Sequence, residues 1–307
     1  MTLKNGDFQP LPSICDHISQ SHFVVTTEIV PPIAGGPDEL LAIAAPFKDR
    51  VDGINVTDGP GASVHMSSVA ASAILAQNGF NPVLQLTCRD RNRIALQADL
   101  LGAAALGVRD VLFLTGDDPG TGDQPEAVPV FDAKSLDLLN WARRMTVEAT
   151  LPSGRPISSP PRFCCGAADV PIAPPKDWIP EALLRKAEAG AEFIQTQLCY
   201  DFSIVETYIS ALRDHGLTER LQVLIGTGPI ASAKSARWMN KNLFGVHVPE
   251  ELIVRLENAD NPKEVGRQHC VTFVNQLRNL PGVRGVHLMA PGNSGSLPRL
   301  LDDLAID

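Results

Sequence analysis

Phe23-Val24-Val25-Thr26-Thr27-Glu28-Ile29-Val30-Pro31-Pro32 reads as a buried β-strand. β-Branched and aromatic residues run on until two prolines, which cannot join a ladder, stop them. Glu28 is the residue such a strand does not call for. A carboxylate near the end of an apolar strand is costly to bury unless it is paired, protonated or turned towards a cleft. Apolar surroundings raise a carboxyl pKa, which suits a general acid working near neutrality. The structural alternative is a Glu on the solvent side, or one paired with a buried Arg.

Outward from this stretch the same pattern repeats. Short apolar runs at 51–57, 82–87, 110–115, 162–166, 193–198, 221–225 and 285–289 each read as a strand. Between them lie helical patterns at 39–48, 67–78, 92–106, 133–146, 180–189, 203–215, 262–277 and 296–304, several stopped by glycine. Pieces at 232–239 and 250–258 read as an inserted helical pair. Strands that alternate with helices imply a parallel sheet. Eight of them in 307 residues favour a closed α/β barrel, the (β/α)8 TIM fold, as a single domain over 1–307 with 1–21 as an N-terminal extension. No G-x-G-x-x-G follows any strand, so a dinucleotide-binding open sheet lacks its best support.

Composition narrows the function classes. Hydrophobic content of 44% and charged content of 20% are ordinary globular values, and a net charge of −9 opposes a nucleic-acid or anionic-membrane partner. No apolar run approaches the ~20 residues of a membrane span, and residues 1–20 carry no secretory h-region. The six cysteines lack zinc spacing. Cys88, Cys164, Cys165 and Cys199 sit in apolar runs, so reduced, structural thiols in a cytoplasmic protein are expected.

Active sites of such barrels lie at the C-terminal ends of the strands. Standing there are Glu28, Thr57 with Asp58, Thr87 with Arg89, Asp117 with Asp118, Gln197, Thr227, and Pro291-Gly292-Asn293. Each alone has a bland reading: strand-end hydrogen bonding for the threonines, turn composition for Asp117-Asp118-Pro119-Gly120, a satisfied core amide for Gln197. Their convergence on strand ends favours a binding site. The seven histidines are scattered without ligand spacing, so no metal is expected. No strand-end lysine suits a Schiff base and no G-x-S-x-G elbow is present. A cofactor-borne reaction, with one acid from the protein, is what these absences leave.

Several segments, in order, resemble the methylenetetrahydrofolate reductase family: Thr27-Glu28-Ile29-Val30-Pro31-Pro32, Val56-Thr57-Asp58-Gly59, Leu86-Thr87-Cys88, Leu114-Thr115-Gly116-Asp117-Asp118-Pro119, Leu184 to Ala191, Thr196 to Asp201, and Gly228-Pro229-Ile230. The resemblance runs from about residue 22 to about 304. It implies FAD as cofactor, NADH or NADPH as co-substrate, a folate substrate, and a homo-oligomer. Glu28 and Asp117 would be the catalytic pair, Glu28 protonating the bridging nitrogen of methylenetetrahydrofolate. Thr57, Asp58, Gln85, Thr115, Gly116, Asp117, Arg185 and Lys186 would meet the flavin, and Gln197 with Glu28 and Asp117 the folate. Gln85 stands where the family has a flavin-contacting His, and Thr115 where it has an Arg. Phe163 to Ala168 lacks the family's flavin-packing Tyr, and Ala233 replaces an aromatic residue. A member served by a partner electron donor, one running in the oxidative direction, and a non-catalytic folate-binding subunit are the rival readings.

Overall fold

The computed structural model describes residues 11–304. Eight parallel strands close in chain order into a barrel: β1 (Val24–Ile29), β2 (Gly53–Val56), β3 (Pro82–Thr87), β4 (Asp110–Leu114), β5 (Cys164–Asp169), β6 (Phe193–Leu198), β7 (Gln222–Thr227) and β8 (Val283–Leu288). The helices are α1 (Ile14–Ser19), α2 (Asp38–Ala44), α3 (Ser68–Gln77), α4 (Arg93–Ala105), α5 (Ser135–Arg143), α6 (Glu181–Ala189), α7 (Phe202–Asp214), α8 (Ala233–Asn242), α9 (Glu250–Glu257), α10 (Pro262–Arg278) and α11 (Leu297–Leu304). The expected (β/α)8 fold is the one observed. Its strands read as unbroken apolar runs because helices cover a parallel sheet on its outer face and packed side chains fill the inner one.

The chain packs as two compact units. One holds the described residues up to His17 with Ile29–Ala167 and Ala189–Ala191; the other holds Ile18–Glu28, Ala168–Glu188 and the chain from Glu192. In the first, β2 to β5 pair in sequence, with Leu84 opposite both Val56 and Val111. Helix α4 starts where the Asn92 side chain accepts from the N–H groups of Ile94 and Ala95, which satisfies donors the helix cannot. It ends at Gly107, whose φ of +92° lies in the left-handed region.

In the second unit β6, β7 and β8 pair in order and β8 pairs with β1, placing Thr26 opposite His287 and Thr27 opposite Leu288. The β6–β7 register shifts between Gln195 and Leu198. Gly226 is required there: a Cβ on it would lie 2.1 Å from the Thr196 carbonyl oxygen. The helical pair expected between β7 and β8 is α8 and α9, which close over Leu198, Tyr200, Ile230, Met239, Leu252 and Leu256.

From residue 13 onward the expected N-terminal extension is packed structure. Ile14 of α1 is fully buried and its N–H donates to Asp110 at 3.1 Å. Burial pushes the Asp110 carboxyl up to about 8, against that hydrogen bond and the charge of Arg109. Arg109 in turn pairs with Asp16 at 2.6 Å. Cys15 and Cys164 form a disulfide across 149 residues, which corrects the expectation of reduced thiols throughout. Docking of α1 on the start of β5 brings the two sulfurs together, and no local spacing signals it. Cys88, Cys165, Cys199 and Cys270 are free and buried, as small hydrophobes. A cross-link closing so long a loop contributes about 2–4 kcal/mol, so reduction or Cys15→Ser should lower the melting temperature by about 5 °C or more. Identical melting curves with and without dithiothreitol would show the bond absent in solution.

Candidate active site

In the second unit Glu28 stands at the carboxyl end of β1, the one position of that strand that is not buried. Its side chain is 29% exposed, so the carboxylate reaches an opening and is less enclosed than the strand reading suggested. Its Oε2 lies 3.9 Å from Nε2 of His287, a residue only 3% exposed. On the other side of that ring, Nδ1 lies 2.9 Å from the Thr26 hydroxyl. Gln195 Nε2 donates to the Thr26 oxygen at 3.0 Å, and the Val286 carbonyl is 3.4 Å from it. The Thr26 hydroxyl can donate either to Nδ1 or to the Val286 carbonyl, and it joins Gln195 to the ring. Gln195, Thr26 and His287 thus form a buried chain whose last member lies beside Glu28.

His287 was not among the expected site residues. The signal was present: a polar residue inside Val286-His287-Leu288, the same anomaly that singled out Glu28. Replacing His287 with Gln should slow a reaction that depends on Glu28 by about 10- to 100-fold through misplacement of the carboxylate. Comparing folate turnover with nicotinamide oxidation by an artificial acceptor checks this, since only the former should fall.

Gln197 sits at the β6 irregularity, half-buried, with its Oε1 accepting from the N–H of Leu198 at 2.9 Å. That bond leaves the amide NH2 group for a ligand. Lys186 on α6 donates to the Ala168 carbonyl at 2.6 Å and pairs with Asp169 at 3.4 Å. Asp169 also accepts from the Tyr208 hydroxyl at 2.5 Å. Arg185, next to Lys186, is exposed.

In the first unit the expected residues fall into two groups. Thr57 and Asp58 are satisfied within the protein. The Thr57 hydroxyl donates to the Ile29 carbonyl at 3.2 Å. Asp58, 8% exposed, accepts from Ser68, from the N–H and hydroxyl of Thr87, and from both terminal nitrogens of Arg91 at 2.8 and 3.1 Å. Burial works to raise its pKa, but the hydrogen bonds and charge of Arg91, with the Thr87 bonds, outweigh that and hold it below the usual carboxylate range. Arg91 also meets Asp99 at 2.9 Å.

The other group is open. Gln85 is 8% exposed and its side-chain amide has no hydrogen-bond partner among the described residues. Thr115 is exposed after β4. Gly116, at φ +97°, lets the chain turn against Arg89, whose Cβ would lie 2.9 Å from an added Cβ. Asp117 is exposed and accepts from the Gly61 N–H at 2.9 Å. Asp118 accepts from the Gly120 N–H at 3.0 Å, the turn role its sequence allows. Arg89 forks onto Asp90 at 2.7 Å and donates to the Gly59 carbonyl at 3.1 Å.

Fold and strand-end chemistry define a parallel barrel whose second unit carries a carboxylate with a histidine neighbour and an amide with a free NH2 group, and whose first unit carries an acidic loop. The family model for methylenetetrahydrofolate reductase matches residues 13–305. Among curated proteins, the chain is 26% identical over 79% of its length to a probable methylenetetrahydrofolate reductase (NADPH) of Caenorhabditis elegans. It is 28% identical over 76% of its length to methylenetetrahydrofolate reductase 2 of Schizosaccharomyces pombe. It is 25% identical over 67% of its length to methylenetetrahydrofolate reductase (NADH) 1 of Arabidopsis thaliana. These matches span 35–37% of the relatives' own length. A solved structure from Clostridium thermocellum, described as an uncharacterized protein that binds two copies of 5-methyl-5,6,7,8-tetrahydrofolic acid, superposes with a TM-score of 0.61 at 13% identity, covering 95% of this chain and 98% of that one. The chain belongs to the methylenetetrahydrofolate reductase family. No helix of the described residues is long and apolar enough to cross a membrane.

Proposed function

We propose that this chain reduces 5,10-methylenetetrahydrofolate to 5-methyltetrahydrofolate with hydride drawn from NADH or NADPH. The observation that carries this reading is Glu28, partly exposed at a strand end and backed by His287. The family and the tetrahydrofolate-binding structural neighbour support the substrate class. Glu28 gives its proton to the bridging nitrogen N10. The bond from N10 to the methylene carbon breaks, leaving a 5-iminium cation whose methylene carbon accepts hydride. His287, with Nε2 on the Glu28 side, orients the carboxyl for that transfer. Gln197 orients the pterin through its free NH2 group. Asp117 would favour the cationic iminium electrostatically, a role the family resemblance implies.

The residues present fit FAD at two places. The unpartnered amide of Gln85 offers both donor and acceptor to the edge of a flavin ring. Arg185 and Lys186 would take the diphosphate, Lys186 with part of its charge answered by Asp169. Thr57 and Asp58 would shape the wall rather than contact the cofactor. When bound, FAD would carry hydride between the nicotinamide and the folate. A cytoplasmic homo-oligomer completes this reading.

Asp117→Asn keeps an acceptor for the Gly61 N–H but removes the charge. It should slow folate reduction about 10- to 100-fold and leave FAD affinity within about twofold. Stopped-flow folate reduction and flavin fluorescence titration measure the two effects separately, and unchanged rates would show the charge is incidental.

A further inference from the structure

In the first unit, at the far end of β4 from Thr115 and Asp117, lies a pocket of about 370 Å³. Its walls include Leu101 and Ala105 of α4, Val108 and Arg109 ahead of β4, and Pro161 and Arg162 ahead of β5. That volume suits a small ligand. We infer that this pocket binds a small organic anion: one carboxylate or phosphate group carried on an apolar body. The inference does not rest on the folate reading.

Charge selects the ligand. In a chain of net charge −9, two arginines and no acidic side chain line this pocket. Arg162 is exposed and makes no ion pair or hydrogen bond among the described residues. Arg109 is only half engaged: its Nη1 donates to Asp16 at 2.6 Å and to the Leu11 carbonyl at 3.4 Å. Its Nε and Nη2 have no partner among the described residues, and they form the fork that receives a carboxylate or phosphate through two parallel bonds. The remaining named walls, Leu101, Ala105, Val108 and Pro161, are apolar. A bare inorganic ion would leave those walls uncovered, and an uncharged hydrocarbon would leave the arginines unanswered. An anion with a compact apolar body satisfies both.

The backbone holds the two arginine-bearing segments together. Strands β4 and β5 pair with Asp110 opposite Cys164, and the Cys164 N–H donates to the Arg109 carbonyl at 2.9 Å. Cys164 is also bonded to Cys15 of α1, and Asp16 of the same helix holds Arg109 by the Nη1 that the fork does not need. The site is thus built before a ligand arrives, which lowers the ordering cost of binding. The five residues of β4, a rise of roughly 17 Å, separate Arg109 from Thr115. In barrels of this fold the chemistry lies at the carboxyl ends of the strands, so a molecule bound at this end is a ligand and not a reactant.

Calorimetry on the purified full chain would compare phenyl phosphate, benzoate and the uncharged benzyl alcohol, using wild type, Arg162→Ala and Ala105→Phe. Both positions are exposed, so the fold should be kept, which circular dichroism checks. Wild type should bind at least one of the two anions with a Kd of about 0.1–1 mM, about tenfold or more tighter than the alcohol, and more weakly as salt rises. The tighter of the two anions names the head group. Arg162→Ala should weaken that anion about tenfold, and Ala105→Phe, which keeps both arginines but fills the space, should weaken it as much. Anion affinity that survives either variant places the binding elsewhere on the chain and overturns the inference. Equal affinity for the alcohol, or no anion bound by wild type, overturns it as well. So does a change of oligomeric state in Arg162→Ala without anion binding, which would assign this surface to a second copy. None of these outcomes touches folate turnover, so the proposed function stands or falls separately.

Discussion

Glu28→Gln is expected to lower folate turnover by about 10²- to 10⁴-fold, the span typical of a lost general acid, while nicotinamide oxidation by an artificial acceptor stays near wild type. Glutamine keeps the size of the side chain and a carbonyl oxygen for His287 Nε2, so the chain of Gln195, Thr26 and His287 survives. What it cannot do is release a proton to N10. Opening of the methylene bridge should therefore stop; the neighbouring His287 is buried, 3% exposed. Assays of the two half-reactions on one preparation separate the outcomes. Loss of both activities would mean a structural role for Glu28, and retention of both would remove it as the acid.

The second large effect concerns stability. Asp58→Ala should cost about 3–5 kcal/mol, because it strands the Arg91 guanidinium and deletes the acceptor for Ser68 and for both Thr87 groups. The surviving Arg91–Asp99 pair keeps the loss from being larger. Melting should fall by about 10 °C. The pH dependence has a definite sign. A carboxyl held below its unfolded value of 3.8 contributes stability above that pH and loses it as pH falls through the lower folded value. Wild type should thus lose stability more steeply than the variant below about pH 4. Equal slopes would show that Asp58 is not the carboxylate Arg91 holds low. Asp58→Asn, which keeps the Thr87 bonds, should fall between the two.

Much of the fold is legible in sequence because barrel strands are short apolar runs with glycine or proline punctuation. The run at 82–87 coincides with β3 and the run at 193–198 with β6. Asn92 and Gly107 mark the ends of α4 by side-chain capping and left-handed backbone. What sequence could not give depends on closure. Thr26 meets His287 only because β8 pairs with β1 across the whole chain, so a search for histidines at ligand spacing passes over it. The hold of Arg91 on Asp58 was hidden too, because Arg91 lies 33 residues away, on the loop after the next strand. Helix α1 and its disulfide were hidden for a related reason. Residues 1–21 are polar on average, and only docking shows Ile14 to be fully buried. Glu28 was found because a charge inside an apolar strand is an anomaly at the level of sequence itself.

The measurement closest to the central claim is anaerobic product analysis. FAD-supplemented wild-type protein would be mixed with NADH or NADPH and 5,10-methylenetetrahydrofolate, and the folates separated and weighed by mass spectrometry. The account predicts 5-methyltetrahydrofolate formed in step with nicotinamide oxidised, and none from Glu28→Gln. Nicotinamide oxidised without methylated product, or equal product from the variant, would contradict it.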